Sequence, residues 1–161
     1  MFDGFKKSQV NVDGCNIHLV HGGVGPPLLM LHGYPQTHVE WHKVAPLLAE
    51  HFTVVCPDLR GYGDSDKPVS RDTDLSTYCK RTTANDQVAV MQSLGFDKYH
   101  LVGHDRGVRV GLRMALDHPE KILTFTNLDV VPAQEAFENM DSSLAYACLL
   151  YTSDAADDLY R

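Results

Sequence analysis

Short apolar bursts and longer helical stretches alternate along the chain as far as Leu128. Gln9–Val12 and Asn16–His21 flank Asp13-Gly14, a dipeptide suited to a tight hairpin turn, and predict two antiparallel strands. After a loop from His21 to Pro27, Leu28–Leu31 is an unbroken apolar run, the mark of a strand buried on both faces. Trp41, Val44, Ala45, Leu47 and Leu48 follow helical spacing to about Glu50. Thr53–Cys56 reads as a second buried strand, ended by Pro57, and residues 58–71 as a loop rich in Gly, Asp and Ser. A helix is predicted from about Ser76 to Leu94, with Val88, Met91 and Leu94 on one stripe and Gly95 as its stop. Then come a strand at Tyr99–Val102, a helix at Arg106–His118 and a strand at Ile122–Leu128. A further helix is expected from about Ala133 to Ala147, after which residues 148–161 match neither period.

Strands joined through helices imply right-handed crossovers and a mainly parallel sheet. The expected fold is therefore α/β, with helices on both sheet faces and an antiparallel N-terminal hairpin. The length suits one domain. Its expected extent is a partial core at residues 1–147, with 148–161 as a tail foreign to it.

Charge narrows the partners. Fourteen bases against 21 acids give −7, but residues 134–161 hold six acids and one base, leaving −2 for the rest. No basic stripe marks a nucleic-acid partner. No run approaches the ~18 apolar residues of a membrane helix. Asp3, Lys6, Lys7, Asn11 and Asp13 rule out a signal-peptide core near the start, so a cytoplasmic protein is expected. The four cysteines are scattered and read as reduced thiols, and the nine histidines form no metal set.

Ligands of open α/β sheets bind beyond the carboxyl ends of the strands. Gly103-His104-Asp105-Arg106-Gly107 lies there, a G-x-D-x-G pattern between strand and helix. A sharp strand-to-helix bend strains its middle residue and needs glycine two positions to either side. Gly111 extends a bare face for close packing. A carboxylate at such an elbow is already anionic at pH 7, so Asp105 is a candidate nucleophile toward saturated carbon bearing a leaving group. The bland alternative makes Asp105 an ordinary helix N-cap. Pro35 leaves the Tyr34 N–H free to point into the site, where it could pair with the Arg106 N–H as an oxyanion hole. Arg106 and Arg109, one turn apart, can hold a substrate carboxylate. Arg113 and Asp117 continue that stripe and read as solvated. Asp129 ends the following strand, where an acid orienting a catalytic histidine is expected.

These motifs together are familiar. His32-Gly33-Tyr34-Pro35-Gln36-Thr37-His38, Pro57-Asp58-Leu59-Arg60-Gly61-Tyr62-Gly63-Asp64-Ser65 and Gly103-His104-Asp105-Arg106-Gly107 resemble the α/β-hydrolase fold superfamily. The nearest resemblance is to its fluoroacetate (haloacetate) dehalogenase branch, over roughly residues 1–147. The resemblance implies that Asp105 expels halide from a haloacetate, giving an alkyl-enzyme ester, with Arg106 and Arg109 on the substrate carboxylate and Asp129 as the triad acid. It implies no cofactor and no metal, and a small carboxylate as the partner; the oligomeric state stays open, a homodimer of a full-length parent included. Every histidine precedes Asp129, so the histidine base and the cap of that branch are expected to be missing from this chain. An epoxide hydrolase of the same fold and a non-catalytic scaffold are the alternatives.

Overall fold

The structure is a computed structural model, and it describes residues 1–69 and 76–130. Six strands form one sheet: β1 (Lys6–Val12), β2 (Cys15–Gly22), β3 (Pro27–Leu31), β4 (Thr53–Pro57), β5 (Tyr99–His104) and β6 (Ile122–Leu128), in the order β1-β2-β4-β3-β5-β6. β2 pairs antiparallel with β1, the hairpin the sequence predicts, and also with β4, while the remaining pairings are parallel. The hairpin turn places Asp13 at φ 48° and Gly14 at φ 82°, the left-handed pair that a two-residue primed turn requires.

Alternate residues of the strands feed two cores. Ile17, Leu19, Leu29, Leu31, Val55, Tyr99 and Leu101 face α2 (Lys80–Ser93) and α3 (Arg106–Asp117), which supply Ala84, Val88, Met91, Val110 and Met114. Val20, Leu28, Met30, Val54 and Cys56 face the other way, against Trp41 and Ala45. Helices thus cover both faces, and the apolar run of β3 is explained by its two-sided burial.

Helix boundaries depart from the sequence pattern where backbone chemistry overrides it. The helix expected from Trp41 to Glu50 divides into a 3-10 turn at His38–Trp41 and a short α1 at Ala45–Leu48. Pro46 lacks the N–H and clashes one turn back, so it can sit in the first turn of a helix but not within one. α2 begins at Lys80 rather than near Ser76, because Cys79 is extended and its sulfur accepts the Thr82 N–H as the cap. Gly95 stops it at φ 84°. The helix expected at 133–147 and the tail 148–161 lie outside the described residues. Among the described residues, β6 pairs only with β5 and leaves Leu123 and Leu128 exposed.

Buried polar side chains pin the loops that leave the strands. His32, just past β3, is fully buried; its Nδ1–H donates to the Gly33 carbonyl and its Nε2 accepts the Leu59 N–H, both in one neutral tautomer. Asp58, just past β4, is also fully buried and accepts the His38 N–H, the His38 ring and the Asp64 N–H. Arg60 grips Asp86 of α2 with two bonds of 2.8 and 2.7 Å.

Candidate active site

Asp105 sits between β5 and α3 at φ 44°, ψ −109°, a conformation that a non-glycine residue keeps only where its surroundings enforce it. The enforcement comes from close packing. A Cβ on Gly107 would collide with the Leu31 carbonyl of β3, and one on Gly103 would come within 2.7 Å of the Val108 nitrogen. A Cβ on Gly111 would come within 2.7 Å of the Phe125 ring on β6. These glycines let α3 lie on β3, β5 and β6 with the bend held tight.

The Asp105 carboxylate does not cap its own helix. It reaches across to the β3 loop, where its Oδ2 accepts the Tyr34 N–H at 2.9 Å. Among the described residues its second oxygen accepts no hydrogen bond. The Tyr34 N–H thus points at Asp105, and the Tyr34–Pro35 peptide is cis. Arg106, the first residue of α3, has an N–H without an acceptor inside the helix. Its guanidinium lies 5.0 Å from the centre of the Tyr34 ring, a stacking distance. The chain thus joins Tyr34, Asp105 and Arg106 at one point. Arg109 is exposed one turn further along α3. Asp129 follows β6 at φ 58°, exposed. The register pairs His104 with Leu128, so Asp105 and Asp129 leave neighbouring strands at the same edge.

A cavity of about 400 Å³ opens beside this point, lined by Tyr34, Arg60, Tyr62, Tyr78, Lys80 and Arg106. The sequence pattern did not single out Lys80. Burial pushes its ammonium below the usual lysine range, and the charges of Arg106 and Arg109 push it further, against weaker opposition from Cys79 and Asp105. Two cations at the start of α2 with no acid in its first turn run against the helix dipole, and that was the available signal.

Glu40 was missed as well. One of its oxygens accepts the Gly33 N–H at 3.0 Å and the other lies 2.7 Å from Nδ1 of His104, an ion-pair contact off the hydrogen-bond line. A Cβ on Gly33 would come within 2.9 Å of both the Asp105 Cβ and that His104 nitrogen. Gly33, Glu40 and His104 thus set the level of the loop that carries the Tyr34 amide.

Two sequence readings are refined elsewhere. Arg113 and Asp117 form an ion pair along α3, and Asp117 also takes Arg81 of α2 at 3.1 Å, so they tie two helices together rather than stand solvated. The fold brings His18, His38 and Asp58 within 4.8 Å of one another, a grouping hidden in the sequence. Asp58 is occupied there by the His38 and Asp64 donors, which is loop-pinning chemistry.

Among the described residues no helix is long and apolar enough to cross a membrane. Residues 26–147 match the family model described as the alpha/beta hydrolase fold. A fluoroacetate dehalogenase from Burkholderia sp is 52% identical over 91% of this chain and 48% of its own length. A soluble epoxide hydrolase from Corynebacterium sp. (strain C12) is 42% identical over 77% of this chain and 41% of its own. Among solved structures, ALR0039 from Nostoc sp PCC 7120 superposes with a TM-score of 0.87 at 50% identity, covering 91% of this chain and 50% of that one. The chain spans about half the length of the curated relatives it matches. Sheet order, glycine-packed elbow and matched residues agree, and the chain belongs to the α/β-hydrolase fold family.

Proposed function

We propose that Asp105 is the nucleophile of a hydrolytic dehalogenation acting on a short 2-haloacid. The observation that carries this is the single hydrogen bond donated by the Tyr34 N–H to one oxygen of Asp105, beside a cavity walled by Arg106. One oxygen is held and the other is left to react. Arg106 and Arg109 hold the substrate carboxylate, which brings the α-carbon to that second oxygen. The C–O bond forms as the carbon–halogen bond breaks, and halide departs with the bonding pair. The Tyr34 and Arg106 N–H groups then serve the ester carbonyl. Asp129 is the acid that orients a histidine base for attack of water on that ester.

The expected outcome is that chloroacetate places a carboxymethyl ester on Asp105, trapped by acid quench, seen by peptide mass spectrometry and absent from Asp105→Asn. An adduct on another residue, or chloride release that persists in Asp105→Asn, overturns the reading. Relatives named as epoxide hydrolases favour a second reading, epoxide opening by the same carboxylate. It predicts an adduct from styrene oxide that survives Arg109→Ala, whereas the dehalogenase reading predicts that Arg109→Ala loses carboxylate substrates.

A further inference from the structure

Arg60 and Tyr78 of the cavity wall, and Arg81 next to Lys80 in the chain, are committed to partners, whereas among the described residues Arg106 meets only the Tyr34 ring. Arg60 is held by both oxygens of Asp86, Arg81 by Asp117, and the Tyr78 hydroxyl donates to the Pro68 carbonyl. Lys80 differs. It is half-buried and lines the cavity with Tyr34 and Arg106, yet among the described residues no carboxylate lies within ion-pair distance of it. It also opens α2, where the helix dipole disfavours a cation and no acid in the first turn relieves it. The ammonium thus meets burial, a helix N-terminus and two nearby arginines at once. Among the described residues, smaller contributions from Cys79 and then Asp105 oppose them. Local rules broken without a compensating partner among the described residues mark a group that a ligand completes. The ligand that relieves all of these terms is a small anion placed between Lys80 and Arg106.

We propose that Lys80 is a third anion-binding group of this site, its ammonium joining Arg106 and Arg109 on the carboxylate of the substrate. The substrate role rests on the haloacid reading above, while anion binding by itself needs no chemistry at Asp105. Lysine suits the position because a compact ammonium on a flexible stem can follow a small carboxylate from the cavity wall.

The test compares ester formation on Asp105 from chloroacetate and from neutral chloroacetamide, with hydroxylamine used to separate esters from cysteine thioethers. Lys80→Met is expected to slow the chloroacetate reaction roughly tenfold, the loss of one charge-assisted contact at a half-exposed position. Its chloroacetamide rate stays within about twofold, and its melting temperature is equal to or above that of the wild type because a disfavoured cation is gone. Lys80→Arg keeps most of the chloroacetate rate, and Arg81→Met, which removes the neighbouring paired charge, changes neither rate. Equal chloroacetate rates in Lys80→Met and wild type, or equal losses with both reagents, overturn the proposal. An acetate titration of the unmodified protein followed at the 13C-labelled Lys80 ε-carbon reads binding without reaction, and no shift there also overturns it. If acetate moves Lys80 while Asp105 gains no ester, the dehalogenase reading falls and the anion site stands.

Discussion

Asp58 and Asp105 occupy equivalent places in the fold, each one residue past the carboxyl end of a parallel strand, on either side of β3. Their surroundings are opposite. Asp58 is fully buried and takes three donors at 2.7 to 2.9 Å. Burial alone raises its carboxyl, but the His38 and Asp64 hydrogen bonds together outweigh it and hold the group below the usual range. Asp105 sits at positive φ with one amide donor and a second oxygen that accepts nothing among the described residues. The lesson is that the donors each oxygen accepts, more than burial or strand-end position, separate a carboxylate that builds a loop from one with an oxygen left open, as the proposed nucleophile needs. A carboxylate with both oxygens held by buried donors is a poor nucleophile because attack must first break bonds it cannot replace.

The largest effect should come from making the same substitution at both. Asp58→Asn turns one acceptor oxygen into a donor, which faces the backbone N–H of Asp64 or of His38 and leaves that buried N–H without its acceptor. It is expected to cost roughly 3 kcal/mol by urea unfolding, the scale for an orphaned buried donor plus a broken charge-assisted bond. Asp105→Asn is expected to stay within about 0.5 kcal/mol of wild type, since asparagine tolerates the left-handed region and keeps an oxygen for the Tyr34 amide. Its ester formation is lost by about a thousandfold or more, because an amide is no nucleophile at carbon. Equal stability losses at the two positions would erase the distinction.

The second test separates the two ends by pH. His32 is buried neutral, with both ring nitrogens committed, and burial pushes its pKa down against a smaller lift from the Gly33 carbonyl. Burial also lowers His18, partly offset by Asp58. In the unfolded chain both titrate near about 6.5, so below that pH the unfolded state takes up protons that the folded state refuses. Stability is therefore complete above about pH 6.5 and falls as pH drops, at most by about 1.4 kcal/mol per pH unit for each histidine. Asp86, raised by burial against its bond to Arg60, acts in the opposite sense but only in the carboxylate range. Urea midpoints at about pH 7.5, 6.5 and 5.5 read this directly. Midpoints that rise with acidification contradict the neutral, hydrogen-bonded His32.

What the sequence revealed follows from how far each signal travels along the chain. β3 and β4 were legible because two-sided burial writes an unbroken apolar run, and the elbow because its glycines stand within eight residues of one another. The polar groups that complete the site were not. The His32 ring meets Leu59 across 27 residues and Arg60 meets Asp86 across 26, and no local pattern marks either end of such a bond. Lys80 and Glu40 each sit on a helix whose periodicity concerns packing and is silent about charge. Only the dipole rule, applied to Lys80 and Arg81, pointed the right way.

Glu40 gives the smallest predicted effect and the finest test of the comparison, because it lies between the two cases. One of its oxygens accepts a backbone N–H, as Asp58 does, while the other faces the His104 ring. In Glu40→Gln the amide oxygen can keep the Gly33 N–H, and the new NH2 can donate to His104 once the ring presents an acceptor at Nδ1. The loop should therefore hold, with stability within about 1 kcal/mol of wild type. Gly33 immediately precedes Tyr34, and a Cβ there would touch both Asp105 and His104, so the amide on Asp105 has little room to shift. Exchanging a charged acceptor for a neutral one at Gly33 weakens that positioning without removing it. Ester formation on Asp105 is expected to slow about threefold, with the loss falling on the rate at saturating chloroacetate rather than on the concentration required. A loss confined to the concentration term would instead place Glu40 in the binding of the anion, on the same footing as Lys80.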